Sequence, residues 1–201
     1  FSHFVVPRFT RMRLPDAKGI QDMYAGVVEN ENRNELLVTD TLNLIQEGRT
    51  PILLTERKEH AALLASRLSD KVKNVFLLIG SDKQKEKREK MTALQNVPDD
   101  EDVVVVATGK YIGEGFDSPR LDTLLLAMPI SWKGTLAQYA GRLHRNYEGK
   151  HEVRIYDYVD IHVPTLERMY HKRLKGYAEL GYQVKFGAAD KSISTIYDGH
   201  A

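Results

Sequence analysis

Cysteine is absent from the 201-residue sequence, and tryptophan occurs once. Without cysteine the chain forms neither a disulfide nor a cysteine-ligated zinc site, a composition that fits a cytoplasmic protein. Long apolar runs are also missing, since none approaches the roughly 20 residues that cross a membrane, and no signal peptide opens the sequence. We therefore expect a cytoplasmic protein with no membrane partner.

An excess of charge of either sign is lacking as well. Lys and Arg number 29 and Asp and Glu number 28, which gives a net charge of +1. Overall charge therefore does not indicate a nucleic-acid-binding protein, and any such contact must come from a local arrangement of side chains. The 42% of apolar residues suffice for the core of one domain, alone or with an appendage. Because the sequence begins with Phe1, we expect a fragment of a longer polypeptide.

Apolar runs alternate with amphipathic patterns along the chain. The runs are apolar throughout, which indicates strands buried on both faces, and their alternation with helices favours a parallel sheet covered on each side. The expected strands are 51–55, 75–79, 102–107, 123–127 and 153–159, and the expected helices are 34–47, 59–68, 83–95, 135–144 and 164–180. The sequence thus predicts an α/β fold, in which ligands bind beyond the carboxyl ends of the strands.

The chain divides into three expected parts. Residues 1–32 are predicted to be a linker that arrives from a preceding domain, 33–162 the α/β domain, and 163–201 a terminal helix with a loose tail. The terminal helix is either a basic surface for nucleic acid or a packing element, and we favour packing with a basic outer edge. Its basic residues are Arg168, Lys172, Arg173 and Lys175.

A Q-x-x-G-R-x-x-R run lies in the predicted helix 135–144 and just beyond it. Gln138, Arg142 and Arg145 are spaced i, i+4 and i+7, so a helix would project them from one face. Gly141 removes a side chain beside them and leaves room for a bulky group. Two guanidinium groups at such a gap are suited to gripping a polyphosphate, because their planar donors match phosphate oxygens bidentately. The alternative is the solvated face of a surface helix.

A glycine-rich stretch follows the predicted strand 102–107. Gly109, Gly113 and Gly115 lie within seven residues, which permits unusual backbone conformations and the close approach of a ligand. The alternative is a tight crossover with no ligand. The stretch is not a P-loop, because it lacks the earlier glycine and the Ser or Thr that binds magnesium.

These stretches resemble three motifs of the superfamily 2 helicases. The run Q-Y-A-G-R-L-H-R is similar to motif VI, the glycine-rich stretch to motif V, and residues 52–57 to motif IV. The resemblance covers about 50–160 and is to the C-terminal, second RecA-like domain, a P-loop NTPase-type parallel sheet. The sequence of these motifs looks most like that of bacterial restriction-subunit and repair-type DNA helicases. It resembles the DEAD-box branch less, because the run lacks the His-Arg with which that motif VI begins, and Tyr139 and Ala140 depart from that pattern.

The resemblance implies a role for each motif. Arg142 and Arg145 would be catalytic and reach the γ-phosphate of ATP as an arginine finger. The implied ATP-binding residues are Gln138, Gly141, Arg142, Arg145, Gly115 and Asp117, and the implied nucleic-acid-binding residues are Thr55, Arg57, Gly80, Ser81, Thr108, Gly109 and Lys110. ATP and Mg²⁺ would be held mainly by an N-terminal RecA-like domain, because the Walker A loop and D-E-x-D/H box of the family are not in this sequence. The expected track is DNA, with RNA not excluded.

Several alternatives stay open. The chain is either this helicase half or a catalytically inert RecA-like module for nucleic-acid binding or regulation. A self-sufficient nucleotide-binding enzyme would need a glycine-rich loop after its first strand, and 55–59 has none. Trp132 either stacks on a base or adenine or packs against the sheet edge, and Ser81 is also a plausible helix N-cap. His60 and His144 are expected in surface or capping roles, and the acidic run 99–102 in a solvated turn.

Overall fold

A seven-stranded sheet organises the molecule. The computed structural model describes residues 1–112, 116–132 and 135–186, without the side chains of Lys110 and Thr135. The strands are β1 Ser2–Thr10, β2 Pro51–Thr55, β3 Asn74–Leu78, β4 Val103–Thr108, β5 Thr123–Leu126, β6 Glu152–Asp160 and β7 Gln183–Val184. Their order is β3-β4-β2-β5-β6-β1-β7, and all of the pairings are parallel. The predicted α/β fold is confirmed.

Helices cover both faces of this sheet. They are α1 Ile20–Glu29, α2 Glu31–Gln46, α3 Lys58–Ser69, α4 Gln84–Gln95, α5 Gly109–Ile112, α6 Thr135–Gly141 and α7 Pro164–Glu179, with a 3₁₀ turn over Arg142–His144. Each predicted strand and helix is present with small shifts at its ends. Part of the predicted glycine-rich loop instead forms the short helix α5, and Gly115 of the same stretch lies outside the described residues. Within the described ranges, no helix is both long and apolar enough to cross a membrane.

The core consists of two main apolar layers, one on each face of the sheet. Alternate residues of one strand enter opposite layers, as Leu54 and Leu53 do in β2. Helices α4, α6 and α7 cover the Leu54 layer, and α2 and α3 cover the Leu53 layer. Each fully buried leucine contributes about 1.5–3 kcal/mol to folding. The uniformly apolar strands thus follow from burial on both sides.

The first strand corrects the expected linker. Residues 2–10 pair in parallel with β6 along their whole length, so the opening of the chain is part of the sheet. Pro7 made a strand there unexpected, because proline cannot donate to a ladder of hydrogen bonds. It is tolerated because β7 pairs with Phe4 and Val5, and no strand of the described residues pairs with Pro7 on that side. Helix α1 was not expected either.

Helix α7 packs on the sheet and has a basic outer edge, which is the alternative that the sequence favours. Leu166, Tyr170 and Tyr177 are buried, while Arg168, Lys172 and Lys175 form the exposed basic edge. Arg173 differs from the expectation of a basic surface, because its side chain is fully buried. Of the expected loose tail, residues 187–201 lie outside the described part of the chain, and 183–184 form β7.

Two buried ion pairs flank β6. Asp157 accepts two hydrogen bonds from Arg173 of α7, both 2.8 Å, on one face of the sheet. On the other face, Asp160 accepts from Arg33 of α2 at 3.0 and 3.2 Å. The charged groups of both pairs are 0% exposed. Each arginine also donates to a carbonyl that follows β5, Arg33 to Ala127 and Arg173 to Ile130, so the two pairs fix the chain between β5 and α6.

Removal of one partner should therefore destabilise the fold strongly. Arg33→Met leaves the Asp160 carboxylate buried without its counter-charge, and we expect a loss of about 3–5 kcal/mol in the free energy of unfolding, measured by urea denaturation. Arg67→Met is the control, because its pair with Glu31 is exposed and should change stability by about 0–1 kcal/mol. Equal losses in the two variants would contradict the importance of the buried pair.

Candidate nucleic-acid and nucleotide site

The residues predicted to contact nucleic acid come together at one edge of the sheet. Because all strands are parallel, β3, β4 and β2 end at the same edge, which we call the carboxyl edge. Gly80 and Ser81 follow β3, Thr108 ends β4 beside Gly109, and Arg57 follows β2. The segment 127–132 follows β5 at the next place along this edge. Residues far apart in sequence thus share one surface.

Thr108 ties two of these loops together. Its Oγ1 accepts a hydrogen bond of 3.0 Å from the backbone N–H of Gly80. The hydroxyl proton stays available for a second partner, since a hydroxyl can donate and accept at once. Ser81 is exposed in the turn before α4, and the N-cap of that helix is Lys83, so the N-cap alternative for Ser81 is wrong.

Thr55 does not face a ligand. Its side chain is 0% exposed, and its Oγ1 lies 2.9 Å from Nδ1 of His60. The His60 Nε2 lies 2.8 Å from Oδ1 of Asn34, whose amide donates to the Val28 carbonyl. The expected contact of Thr55 with nucleic acid and the expected surface role of His60 are corrected here: both side chains serve to hold α3, α2 and β2 together.

The same network fixes the protonation of His60. Because the Asn34 amide donates to Val28, its oxygen accepts from Nε2–H of His60, and Nδ1 accepts from the Thr55 hydroxyl. Burial, and secondarily the charge of Arg33, lower the pKa of His60 from 6.5 to about 4. His60 is therefore neutral in the folded protein.

A close contact joins the glycine-rich stretch to α6, which we call the arginine helix because the Q-x-x-G-R-x-x-R run begins in it. The buried Tyr139 hydroxyl of α6 donates to the Gly109 carbonyl at 2.9 Å. A Cβ on Gly109 would lie 2.6 Å from that hydroxyl oxygen and 2.8 Å from Oε1 of Glu56, so any larger residue would displace these two side-chain ends. Burial, and then the charge of Glu56, raise the pKa of Tyr139, which keeps its hydroxyl protonated. The sequence reasoning missed this tyrosine, whose signal was its place inside the Q-x-x-G-R-x-x-R run.

The arginine run is not one continuous helix. Helix α6 ends at Gly141, Arg142 lies in the 3₁₀ turn, and Arg145 follows with an extended backbone at φ −73° and ψ 136°. The predicted common helical face of Gln138, Arg142 and Arg145 is therefore wrong at Arg145. The predicted gap is present, because no described atom outside the adjoining residues and the helix backbone lies within 4 Å of a Cβ placed on Gly141.

The two arginines differ in their partners. Arg145 pairs with Asp117 at 3.4 Å, and the two side chains are 60% and 46% exposed. Among the described residues, Nε of Arg142 is buried without a hydrogen-bond partner. A buried donor left unsatisfied costs about 1–3 kcal/mol. A ligand that accepts a hydrogen bond from this nitrogen would remove that cost.

Lys150 holds the backbone at Arg145 in place. Its Nζ donates to the carbonyls of Arg145, at 2.8 Å, and Pro119, at 2.9 Å. Burial lowers the pKa of Lys150 to about 8. Because Pro119 follows Asp117 closely, these bonds hold the two members of the Arg145–Asp117 pair near each other.

Two viral proteins are similar to this chain in sequence. No protein-family model matches the chain. “Putative helicase 161L” of Invertebrate iridescent virus 6 is 35% identical over 165 residues, which cover 78% of this chain and 35% of that protein. “Uncharacterized protein 108L” of Invertebrate iridescent virus 3 is 37% identical over 90 residues, which cover 45% of this chain and 82% of that protein.

Solved structures share the fold. T4 UvsW superposes with a TM-score of 0.71 and 18% identity, over 92% of this chain and 41% of that one. Mss116p DEAD-box helicase domain 2 bound to an RNA duplex gives a TM-score of 0.55 and 17% identity, over 84% of this chain and 60% of that one. The chain therefore has the RecA-like fold of helicase C-terminal domains. It is similar in sequence to 161L and spans about a third of that protein, 35% of its length.

Three other predicted features have clear outcomes in the structure. Trp132 packs against α7, with its ring 5.4 Å from that of Tyr177, so its packing partner is a helix and not the sheet edge, and the residue stays half-exposed. His144 lies 2.7 Å from the Tyr182 hydroxyl through its Nε2. The acidic run 99–102 occupies a turn before β4, as expected.

The neutral His60 predicts a loss of stability in mild acid. Because its folded pKa is about 4 and its ordinary value 6.5, the unfolded chain binds a proton between these pH values and the folded chain does not. The free energy of unfolding should fall as the pH drops through this window, by about 3 kcal/mol in total. Urea denaturation across the window measures it. His60→Gln should remove this part of the pH dependence, whereas the exposed His162→Gln should keep it; an unchanged slope in His60→Gln would contradict the assignment.

Proposed function

We propose that this chain is the second motor domain of an ATP-dependent nucleic-acid helicase or translocase. It would supply the arginine finger and part of the nucleic-acid track, and would be inactive without an N-terminal RecA-like domain that carries the Walker motifs. ATP and Mg²⁺ would be held mainly by that domain, with the cleft closed by Arg142 and Arg145. The reaction supplied there is transfer of the γ-phosphoryl group to water.

The observation that carries this proposal is the free donor capacity of the two arginines. Several of the buried and half-buried arginines of the described chain are engaged by two or more hydrogen bonds each, among them Arg33, Arg49, Arg120, Arg154 and Arg173. Arg142 instead keeps a buried Nε without a partner among the described residues, and Arg145 makes a single loose ion pair. Donors that the fold leaves unused are the ones a phosphate can take.

The ion pair with Asp117 holds Arg145 until a nucleotide arrives. An exposed pair of this kind contributes about 0–1 kcal/mol, so Arg145 can exchange the carboxylate for a phosphate at little cost. Asp117 would then be released to bond the sugar, together with Gly115. The open space at Gly141 and the exposed Gln138 side chain complete a surface that a nucleotide can approach.

The carboxyl edge of the sheet would carry the nucleic acid. Ser81 and Thr108 offer hydroxyls beside Gly80 and Gly109, and Arg57 adds a cation at the same edge. Lys110 would be the further cation that the resemblance implies. Such groups bind the phosphate backbone without reading sequence. The carboxylate of Glu56 opposes a phosphate at Gly109, so we place the main phosphate contact at Thr108. The T4 UvsW and Mss116p likenesses show the fold alone, and both DNA and RNA remain to be tested.

Tyr139 would couple the two sites. Its hydroxyl bonds the Gly109 carbonyl, and it precedes Gly141 and Arg142 on the chain by two and three residues. A displacement of the Gly109 segment by bound nucleic acid would therefore pull directly on the arginine helix. Gln138 is exposed on the same helix and would contribute on its outer side.

The decisive experiment is ATP hydrolysis by the full-length protein that contains this domain. Arg142→Ala and Arg145→Ala should each reduce kcat strongly, with a loss on the order of 10³–10⁵ for the arginine that acts as the finger. Steady-state turnover is measured with single-stranded DNA and with RNA, and the better stimulant identifies the track. Affinity for that nucleic acid should change little, because neither arginine lies at the carboxyl edge.

Arg67→Ala is the matched control, a half-buried arginine on α3 that pairs with the exposed Glu31. Its kcat should equal that of the unaltered protein. Unchanged turnover in both Arg142→Ala and Arg145→Ala would overturn the motor assignment and favour the catalytically inert nucleic-acid-binding or regulatory module.

A further inference from the structure

A cavity beside Trp132 lies outside the motifs described so far. Its volume is about 320 Å³, and its lining residues are Ser131, Trp132, Met169, Lys172 and Lys175. It opens between the segment that follows β5 and the outer side of α7. The lining combines an indole ring and a thioether with two ammonium groups. It is therefore both apolar and positively charged.

The Trp132 ring is held firmly but is not fully covered. A Cβ placed on Gly176 would lie 1.9 Å from the indole, so the ring rests directly on the backbone of α7. Glycine inside a helix costs about 1 kcal/mol relative to alanine, and here it makes room for this ring. The Tyr177 ring supports the indole edge-on, at 84° between the planes. Trp132 stays half-exposed and contributes to the cavity lining.

The charge at the cavity is unbalanced. Lys172 and Lys175 are exposed and three residues apart on α7, so they lie on the same side of the helix. Neither ammonium forms an ion pair with a residue in the described ranges. Two unpaired cations beside an aromatic ring match a ligand that offers a flat ring and negative charges a few ångströms away.

We propose that this cavity binds single-stranded nucleic acid, with one base stacked on Trp132 and the adjoining phosphates paired with Lys172 and Lys175. A single strand is required because its bases present free faces, which stack on aromatic side chains whatever their sequence. The inference rests on the proposed function. The cavity adjoins the segment after β5, the next place along the carboxyl edge from Arg57, so a strand leaving that edge reaches Trp132.

The test uses the fact that Trp132 is the sole tryptophan of the chain. An oligothymidylate carrying a fluorescent label is titrated with the 201-residue chain, and anisotropy is recorded together with tryptophan emission. We expect Trp132 emission to be quenched in step with the rise in anisotropy. Trp132→Leu should weaken binding about 5- to 150-fold, the range expected for loss of one stacked base.

The lysines are tested by charge and by salt. Lys172→Gln with Lys175→Gln should weaken binding and reduce the slope of log affinity against log salt concentration by about 1.4, since each phosphate contact contributes about 0.7 on a single strand. Both side chains are exposed, so this variant should fold normally even if Trp132→Leu does not. Lys71→Gln with Lys73→Gln, next to the amino end of β3, removes the same charge and should keep both the affinity and the quenching.

Three results would overturn the inference in distinguishable ways. Anisotropy that rises without quenching, and is insensitive to the Lys172 and Lys175 changes, places the nucleic acid elsewhere and leaves the proposed function standing. Equal quenching by polyglutamate marks a surface for an acidic protein partner instead. No binding of oligothymidylate or of the matching RNA in any measurement removes the nucleic-acid part of the proposed function together with this site.

Discussion

The two buried ion pairs on β6 are the constraint on which the rest of the structure depends. A strand with a carboxylate on each face needs a cation from each covering layer, and Arg33 of α2 and Arg173 of α7 supply them. Both guanidinium groups also bond the chain that follows β5, at Ala127 and Ile130. The helices on opposite faces of the sheet are thereby locked to one segment, and that segment leads into the arginine helix.

Three further hydrogen bonds fix the backbone of the segments at the candidate sites. Thr108 joins the loops after β3 and β4, Tyr139 joins α6 to Gly109, and Lys150 holds the backbone at Arg145. Each bond links a segment proposed to contact nucleic acid or nucleotide to a neighbour in the same role. The two arginines proposed to bind a nucleotide are held less firmly: Nε of Arg142 has no hydrogen-bond partner within the described part of the chain, and Arg145 pairs with the partly exposed Asp117. A rigid frame with unsatisfied arginines is the arrangement that preorganised charge stabilisation requires.

Much of the fold could be predicted from the sequence, because strands buried on both faces are apolar throughout and glycine-rich turns mark their ends. The strand β1 could not, since its partner β6 lies about 150 residues away and Pro7 interrupts the pattern. For the candidate site, the motifs predict Thr108, Gly109 and Arg142 as functional residues, and that stays a prediction. They did not predict the burial of Thr55, which depends on His60 and Asn34 packing against it. Helical spacing failed at Arg145, because a 3₁₀ turn after Gly141 ends the helix first.

The most direct test of the central claim is steady-state ATP hydrolysis by the 201-residue chain alone, with and without single-stranded nucleic acid, after circular dichroism has shown that it is folded. A domain that supplies arginines to a site built mainly by another domain should show no turnover above background, while the full-length protein hydrolyses ATP. Sustained hydrolysis by the folded chain alone, abolished in Arg142→Ala, would mean that it holds a complete catalytic site, and the divided-site account would be wrong.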